Sequence, residues 1–423
     1  MGMVNGEGWR GADIGNPIII LVLLTSLLGA WPGRISLGGI SMLGLLSGVM
    51  AVLVALAVMT SPVVGRVTRR VVGFLLLFWL FDLAGFAWQD VSMAVLQDNV
   101  IWAGFLFTIV LSVHVAALEP RIVQTLVNFK WLVVVVIITY MLVDLALSIE
   151  DAAVPLLALW ATSQLLADWR LRRGMDILAL VVILLGMALL GARITLGAVL
   201  LMFFFIQLVE TKRLNVVMRL RRSVLAIATI LTLFVLIYVY VSQFRSAFLM
   251  GDQALTIGGI TINTSGRWYW WNVVYSYAVD RPFLGWGMDV PVEMESVTGW
   301  AHPHNDYLRI FHHLGLVGLV LWMLFYYRAW RLLLEMSRYL WAIGRDSSEA
   351  SIVYSAFLFL SSVAITMVTD NTIVYSFIMY PLGVYVGLSL GIMDRYESAR
   401  AASGEDERLT ERYAHGQSGV GYD

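Results

Sequence analysis

Long apolar runs dominate this sequence and constrain its fold more than any other feature. A helix needs about 20 apolar residues to cross the roughly 30 Å hydrocarbon core of a bilayer. This criterion predicts spans near residues 15–31, 37–60, 71–88, 99–117, 131–148, 152–168, 176–191, 194–210, 223–242, 305–327, 351–369 and 372–393, with 176–210 open to another division. Charged residues make up 13% of the 423 residues, against about 25% in a soluble domain. The sequence therefore predicts an all-α integral membrane protein with about twelve transmembrane helices.

The basic residues orient these spans. Cytoplasmic loops of membrane proteins carry an excess of lysine and arginine. If the N-terminus is cytoplasmic, every inner loop is basic, and the outer side carries only Arg34, Arg193, Arg245, Arg267, Arg281 and Arg309. The N-terminus lacks a basic segment before a short cleavable apolar stretch, so we expect the first run to be a retained span. The pattern predicts that both termini are cytoplasmic.

One outer connection is much longer than the others. Residues 243–304 separate the ninth and tenth spans, and loops of such length are usually functional or disordered. Their aromatic and apolar content argues against disorder: "TIGGITINTSG" predicts a strand pair, and "RWYWWNVVYSYAVDRPF" predicts a helix at the membrane interface. The polar residues 394–423 predict a disordered cytoplasmic tail. We thus expect a membrane domain over 1–393, with one large outer loop, followed by a tail.

Four arginines on the outer side, Arg193, Arg267, Arg281 and Arg309, are candidates for binding an anion. Arg193 interrupts "LLGMALLGARITLGAVLLMFFF", where an ionisable side chain is costly and therefore a functional candidate. The alternative is that it caps a tight turn and extends to the headgroups. Arg267 and Arg281 lie in the long loop, where a surface arginine is ordinary. Together they indicate a phosphate or diphosphate ligand, because guanidinium groups bind phosphate bidentately and stay charged.

Histidines accumulate where the tenth span begins, in "GWAHPHNDYLRIFHHLGLVG" (299–318). A histidine can take a proton from a hydroxyl group near neutral pH, and His304 lies at the outer end of the span. It is the candidate base, and the alternative is an interfacial hydrogen-bonding residue. His302, Asn305 and Arg309 are candidate substrate-binding residues. The spacing lacks the helical His-x-x-x-His pair of a zinc site, so we predict no metal and no cofactor.

Other polar residues lie within the predicted spans. Asp82, His114, Asp144 and Asp370 are candidates for hydrogen bonds between spans, and a proton relay is the alternative. Asp370 and Asn371 stand at the outer end of the eleventh span. This position would allow both residues to border the site.

The motif formed by His304-Asn305, nine residues, Gly315, two residues and Gly318 resembles the signature of the O-antigen ligase and O-antigen polymerase superfamily. Its members have one large periplasmic loop just before this motif, as predicted here. The segments "GARITLG" around Arg193, "SGRWYWW" around Arg267 and "DRPFLGWGMD" (280–289) also resemble segments of the family. The resemblance covers about 185–320.

The resemblance implies metal-independent glycosyl transfer at the periplasmic face of the inner membrane. The donor would be a glycan on undecaprenyl diphosphate, and the acceptor a glycan or lipid A–core. His304 would activate the acceptor hydroxyl, Arg193 and Arg267 would hold the diphosphate, and Arg281 would assist. Gly315 and Gly318 would serve close packing. A flippase and a chain-length regulator are the partner proteins suggested.

Three functions remain open at this point. We favour polymerisation of surface or exopolysaccharide repeat units, since the polymerases are the broader group with a His-Pro-His-Asn motif. The first alternative is a ligase that transfers a finished glycan to lipid A–core. The second is a secondary transporter of an inorganic anion such as bicarbonate. Transporters usually carry broken helices or paired ionisable residues near the bilayer midplane, whereas here the unusual residues crowd the outer interface.

Overall fold

A computed structural model describes most of the chain, and the helices dominate it. The described residues are 9–29, 36–37, 40–59, 65–87, 93–147, 153–168, 174–210, 216–242, 245, 255–257, 260–262, 267–287, 303–343 and 348–402. The helices among them are α1 (Trp9–Ser26), α2 (Met42–Met59), α3 (Arg66–Gly85), α4 (Met93–Leu118), α5 (Arg121–Leu147), α6 (Ala153–Asp168), α7 (Gly174–Leu189), α8 (Arg193–Glu210), α9 (Val216–Tyr240), α10 (Arg267–Asp280), α11 (Asp306–Ala342), α12 (Ser348–Thr366) and α13 (Ser376–Ala402). Each predicted span overlaps one of these helices.

Five of the described helices are long and apolar enough to cross a membrane. They are the helical segments Val95–Leu118, Arg121–Leu147, Asp306–Ala342, Ser348–Thr366 and Ser376–Ala401. Five shorter apolar helices accompany them, at Gly15–Ser26, Gly44–Met59, Ala153–Asp168, Gly174–Leu189 and Arg193–Gln207. The helical, multi-pass architecture is therefore confirmed, and the count of twelve spans stays a prediction.

Helix α13 occupies the centre of the bundle, and its apolar stretch is wholly buried. It packs along α4 through small residues spaced four apart. A Cβ atom added at Gly391 would lie 2.6 Å from the carbonyl oxygen of Val113, and one at Gly387 would lie 2.7 Å from Cβ of Ser112. The two backbones can approach this closely only because these positions carry no side chain.

The long loop contains the two elements predicted for it. Strand β3 (Leu255–Ile257) pairs in antiparallel fashion with β4 (Ile260–Ile262), and α10 begins at Arg267. A second short pair, β1 (Ser36–Leu37) with β2 (Ile40–Ser41), precedes α2. The predicted start of the C-terminal tail was too early, because α13 continues past 393 to Ala402. Residues 403–423 lie outside the described residues.

The helix that follows the long loop is interrupted. Helix α11 extends well beyond the predicted end at 327, and Gly315 within it has the non-helical angles φ 60° and ψ −162°. At about 1.5 Å per residue, its 37 residues are longer than the roughly 30 Å of a bilayer core. The break therefore separates a short first segment from a segment long enough to span.

Buried polar contacts cluster at the two ends of the bundle. At one end the Lys130 ammonium group lies 2.6 Å from a carboxylate oxygen of Asp168 and 2.9 Å from one of Asp176. This is the end predicted to be cytoplasmic. In the same predicted orientation, Asp394 also belongs to this end, and its carboxylate accepts a hydrogen bond from the backbone N–H of Val67 at the start of α3. The candidate site lies at the other end of these antiparallel helices.

Candidate functional site

Two of the predicted arginines lie close together. Arg193 is the first residue of α8 and follows a tight turn in which Gly191 has φ 67°. Arg267 is the first residue of α10. Both side chains are half-buried, and the two guanidinium groups are near enough to repel one another electrostatically. Arg193 thus directly follows a tight turn, and its side chain lies within electrostatic reach of a second cation.

Arg267 has a carboxylate in its surroundings. Burial lowers the pKa of Arg267, and the negative charge of Asp370 raises it. Arginine stays protonated under such opposing influences, because the ordinary pKa of a guanidinium group lies far above neutral pH. Among the described residues, nothing accepts a hydrogen bond from the buried Nε of Arg267. This guanidinium therefore has hydrogen-bonding capacity left for a ligand.

His304 lies beside the same carboxylate. Its Nδ1 atom is 3.7 Å from Oδ1 of Asp370 and 3.4 Å from the side-chain nitrogen of Asn371. His304 is the one described residue other than glycine with a positive φ, of 48°, which is uncommon and costs free energy. The side chains of His304 and Asp370 are 24% and 16% exposed. The imidazole is therefore held between helices and is still accessible.

The start of α11 is fixed to the connection that carries Asp370. The side-chain oxygen of Asn305 accepts a hydrogen bond from Leu308 N at 2.9 Å and caps the helix. Asp306 N donates to the Met367 carbonyl at 2.8 Å, and the Asp306 carboxylate accepts from Ile373 N at 3.0 Å. Asn305, predicted to bind substrate, thus has a capping role in this structure. Asp306 holds His304 beside Asp370, a role that the sequence did not reveal.

Arg309 lies inside the helix bundle. It is 2% exposed and forms an ion pair with Asp98 of α4. Asp82 of α3 is fully buried and within electrostatic reach of both groups. The structure therefore gives the predicted substrate-binding residue Arg309 a partner in helix packing. The sequence signal for Asp98 would have been an acidic residue at the outer end of a span, opposite a span with an arginine in its first turn.

Arg281 is exposed and lies over an aromatic ring. Its guanidinium carbon is 4.0 Å from the centre of the Trp286 ring, a cation–π contact. The predicted site residue His302 falls outside the described residues. His312 and His313 are buried, with ring centres 5.3 Å apart. The described residues contain no group of three or more histidine, aspartate or glutamate residues arranged to hold a metal ion.

The two motif glycines have different surroundings. A Cβ atom at Gly315 would overlap the backbone carbonyl of Phe283 in the long loop. One at Gly318 would overlap the Leu314 side chain of the same helix. Close packing was predicted for both, and at Gly315 the neighbour is a loop segment rather than another helix.

Residues 178–323 match a family model described as O-Antigen ligase. This match confirms the resemblance, which the motifs placed at about 185–320. The matched region contains Arg193, Arg267 and His304, whereas Asp370 lies beyond it. No curated protein matches the chain.

Proposed function

We propose that this chain, a member of the O-antigen ligase/polymerase superfamily by its residues 178–323, transfers a glycan from undecaprenyl diphosphate to a sugar hydroxyl. The family supports a lipid-linked glycan donor and a glycan acceptor. The finer assignment rests on one observation: Arg267 lies within electrostatic reach of both Arg193 and Asp370, and His304 lies 3.7 Å from Asp370.

The arginine pair suits a diphosphate. Two cations held on separate helices repel one another, and an anion between them turns this cost into binding free energy. Each guanidinium can donate two parallel hydrogen bonds to phosphate oxygens. When the bond between the sugar and the diphosphate breaks, negative charge grows on the leaving group. Arg193 and Arg267 would stabilise that charge, which is the electrostatic contribution that usually matters most in catalysis.

The histidine suits the acceptor. Asp370 faces Nδ1 of His304, and a carboxylate there favours the tautomer with a proton on Nδ1 and a free Nε2. In the proposed step the acceptor oxygen bonds to the anomeric carbon and its proton moves to Nε2. The bond from that carbon to the diphosphate oxygen breaks, and undecaprenyl diphosphate leaves with the electron pair. Asp370 then stabilises the imidazolium ion.

The arrangement also fits a carrier held in a bilayer. The site lies where α8, α11 and α12 end or begin, next to helices apolar enough to span. The prenyl chain would remain in lipid while the diphosphate reaches the arginines. The bias of arginines toward the opposite loops supports our proposal that this end of the bundle lies at the periplasmic face of the inner membrane.

Reconstitution with an undecaprenyl-diphosphate-linked repeat unit, with and without lipid A–core, tests the proposal. We expect a ladder of polymer without lipid A–core, and His304→Ala to abolish it. His114→Ala, a half-buried histidine near the other end of α4, is the matched control. Full-length product from His304→Ala would refute the assignment of the base. Product only in the presence of lipid A–core would refute polymerisation and identify a ligase.

The same reconstitution tests whether a metal takes part. Two guanidinium groups supply the positive charge that a divalent cation supplies in many transfer reactions, so we propose metal-independent transfer. The ladder should persist in excess chelator. Its loss, with recovery on adding a divalent cation, would refute this part.

A further inference from the structure

The break in α11 exposes four backbone groups that a continuous helix would pair. In an unbroken α-helix, the N–H groups of Leu316 and Val317 donate to the carbonyl groups of His312 and His313. The conformation of Gly315 prevents both bonds. Buried backbone groups without partners are costly, so these four need partners from elsewhere in the protein.

The segment Arg281–Gly287 of the long loop supplies all four partners. It accepts two hydrogen bonds and donates two: Leu316 N to Pro282 O at 2.7 Å, Val317 N to Phe283 O at 3.3 Å, Trp286 N to His312 O at 2.9 Å and Gly287 N to His313 O at 2.9 Å. Two helical bonds are thus exchanged for four bonds between segments. We call this arrangement, Arg281–Gly287 with His312–Val317, the clasp.

Two glycines make the clasp sterically possible. Gly285 has φ 71° and Gly315 has φ 60°, a region that side chains disfavour. A Cβ atom at Gly315 would lie 2.7 Å from Leu284 N, and one at Gly285 would lie 2.7 Å from Gly315 N. Alanine at either position would therefore clash with backbone atoms, which cannot move aside as a flexible side chain can. At 315, alanine would also favour the continuous helix.

The clasp joins the two helices that carry the site. Helix α10 runs from Arg267 into the clasp, and the first segment of α11 runs from the residue after Asn305 into it. Between clasp and site the helices pack together, since Leu308 packs against the buried cluster formed by Trp270 and Val274. If α11 closed into a continuous helix, its first segment would turn relative to α10.

We propose that the clasp is a positioning device that holds Arg267 opposite His304, with Gly285 and Gly315 as its positioning residues. Its role in the reaction rests on the glycosyl transfer proposed above, while its geometry does not. The closed helix and the clasped, broken helix are two alternative hydrogen-bonded states of the same backbone groups. Glycine at 315 favours the clasped state.

A pair of cysteines measures the clasp independently of the reaction. The natural chain has no cysteine, so Val274→Cys with Leu308→Cys gives a clean disulfide probe of the contact between α10 and α11. We expect efficient cross-linking in the otherwise natural chain, and weak cross-linking when Gly315→Ala or Gly285→Ala is added. Gly197→Ala is the matched control, because a Cβ atom there meets nothing within 4 Å.

The transfer assay then tests the consequence. Without the cysteines, Gly315→Ala should lower the rate by a factor on the order of 100, the cost of misplacing reacting groups by about 1 Å. Closing the disulfide in the Gly315→Ala background should restore much of the rate. Unchanged cross-linking in both glycine variants would overturn the clasp. Lost cross-linking with an unchanged rate would overturn its positioning role and leave the proposed function intact.

A third result separates the two proposals. If the natural chain shows no transfer, but cross-linking still depends on Gly285 and Gly315, the proposed function fails and the clasp stands. If Gly285→Ala fails to fold and does not accumulate, Gly315→Ala alone still tests the clasp. Alanine at 315 can be accommodated in a continuous α11, so this variant is expected to fold.

Discussion

Replacing Asp370 by asparagine isolates the charge that faces His304. The carboxylate oxygen lies 3.7 Å from Nδ1 of the imidazole, and asparagine keeps the shape of the side chain without its charge. A protonated His304 would then lose its nearest negative partner. Arg267 would lose the same partner, which leaves the arginine pair more positive. We therefore expect kcat to fall, while KM for the anionic donor stays equal or decreases.

The distance sets the size of the effect. At 3.7 Å, Coulomb's law gives about 1 kcal/mol in bulk water and about 4.5 kcal/mol at an effective dielectric constant of about 20. The side chains are 24% and 16% exposed, so screening brings the value to about 2 kcal/mol. About 2 kcal/mol in the barrier corresponds to a roughly 30-fold lower kcat.

Initial rates with the purified lipid-linked donor, measured over a series of pH values, give both constants. Asp370→Glu is the control that keeps the charge and should lose less activity than Asp370→Asn. A kcat equal to that of the natural protein, or an equal loss in Asp370→Glu, would refute this reasoning.

Two further substitutions separate substrate arginines from structural ones. Arg193→Lys should lower kcat/KM by about 10- to 100-fold, because a point charge lacks the bidentate fork; an unchanged value would exclude a diphosphate contact. Arg309→Met should lower the free energy of unfolding by about 3–5 kcal/mol, since it leaves Asp98 buried and unpaired, and Arg309→Met with Asp98→Leu should recover it in thermal unfolding. A stable double variant that no longer binds the donor would instead make Arg309 a substrate ligand.

The features predicted correctly from the sequence are those determined by the residues of a single segment of the chain. Runs of apolar residues fix helices by length and composition alone. The aromatic segment that begins at Arg267 and the pairing of β3 with β4 likewise follow from local pattern. The arginines were recognisable because a charge is costly at the edge of an apolar run. That Arg193 and Arg267 act on one anion was predicted from their position on the outer side, and the family resemblance added their separate roles.

The sequence could not reveal features that depend on backbone geometry. Gly315 reads as a helical packing residue, since nothing local indicates that its helix is broken and completed by residues 281–287. Asp306 reads as an ordinary acidic residue in a first helical turn, although it accepts a hydrogen bond from Ile373 N. Both features pair groups far apart in the sequence, and such pairings depend on the tertiary fold.

The two kinds of arginine in this protein differ in what their surroundings leave unsatisfied. Arg309 is buried against Asp98 and surrounded by other carboxylates, so a second anion would add repulsion to a pair that is already neutral. Arg193 and Arg267 are half-buried and face one another, so an anion would remove repulsion that the fold maintains. A fold tolerates such repulsion when a ligand relieves it. The arginine pair, rather than the buried ion pair, is therefore where a diphosphate would bind.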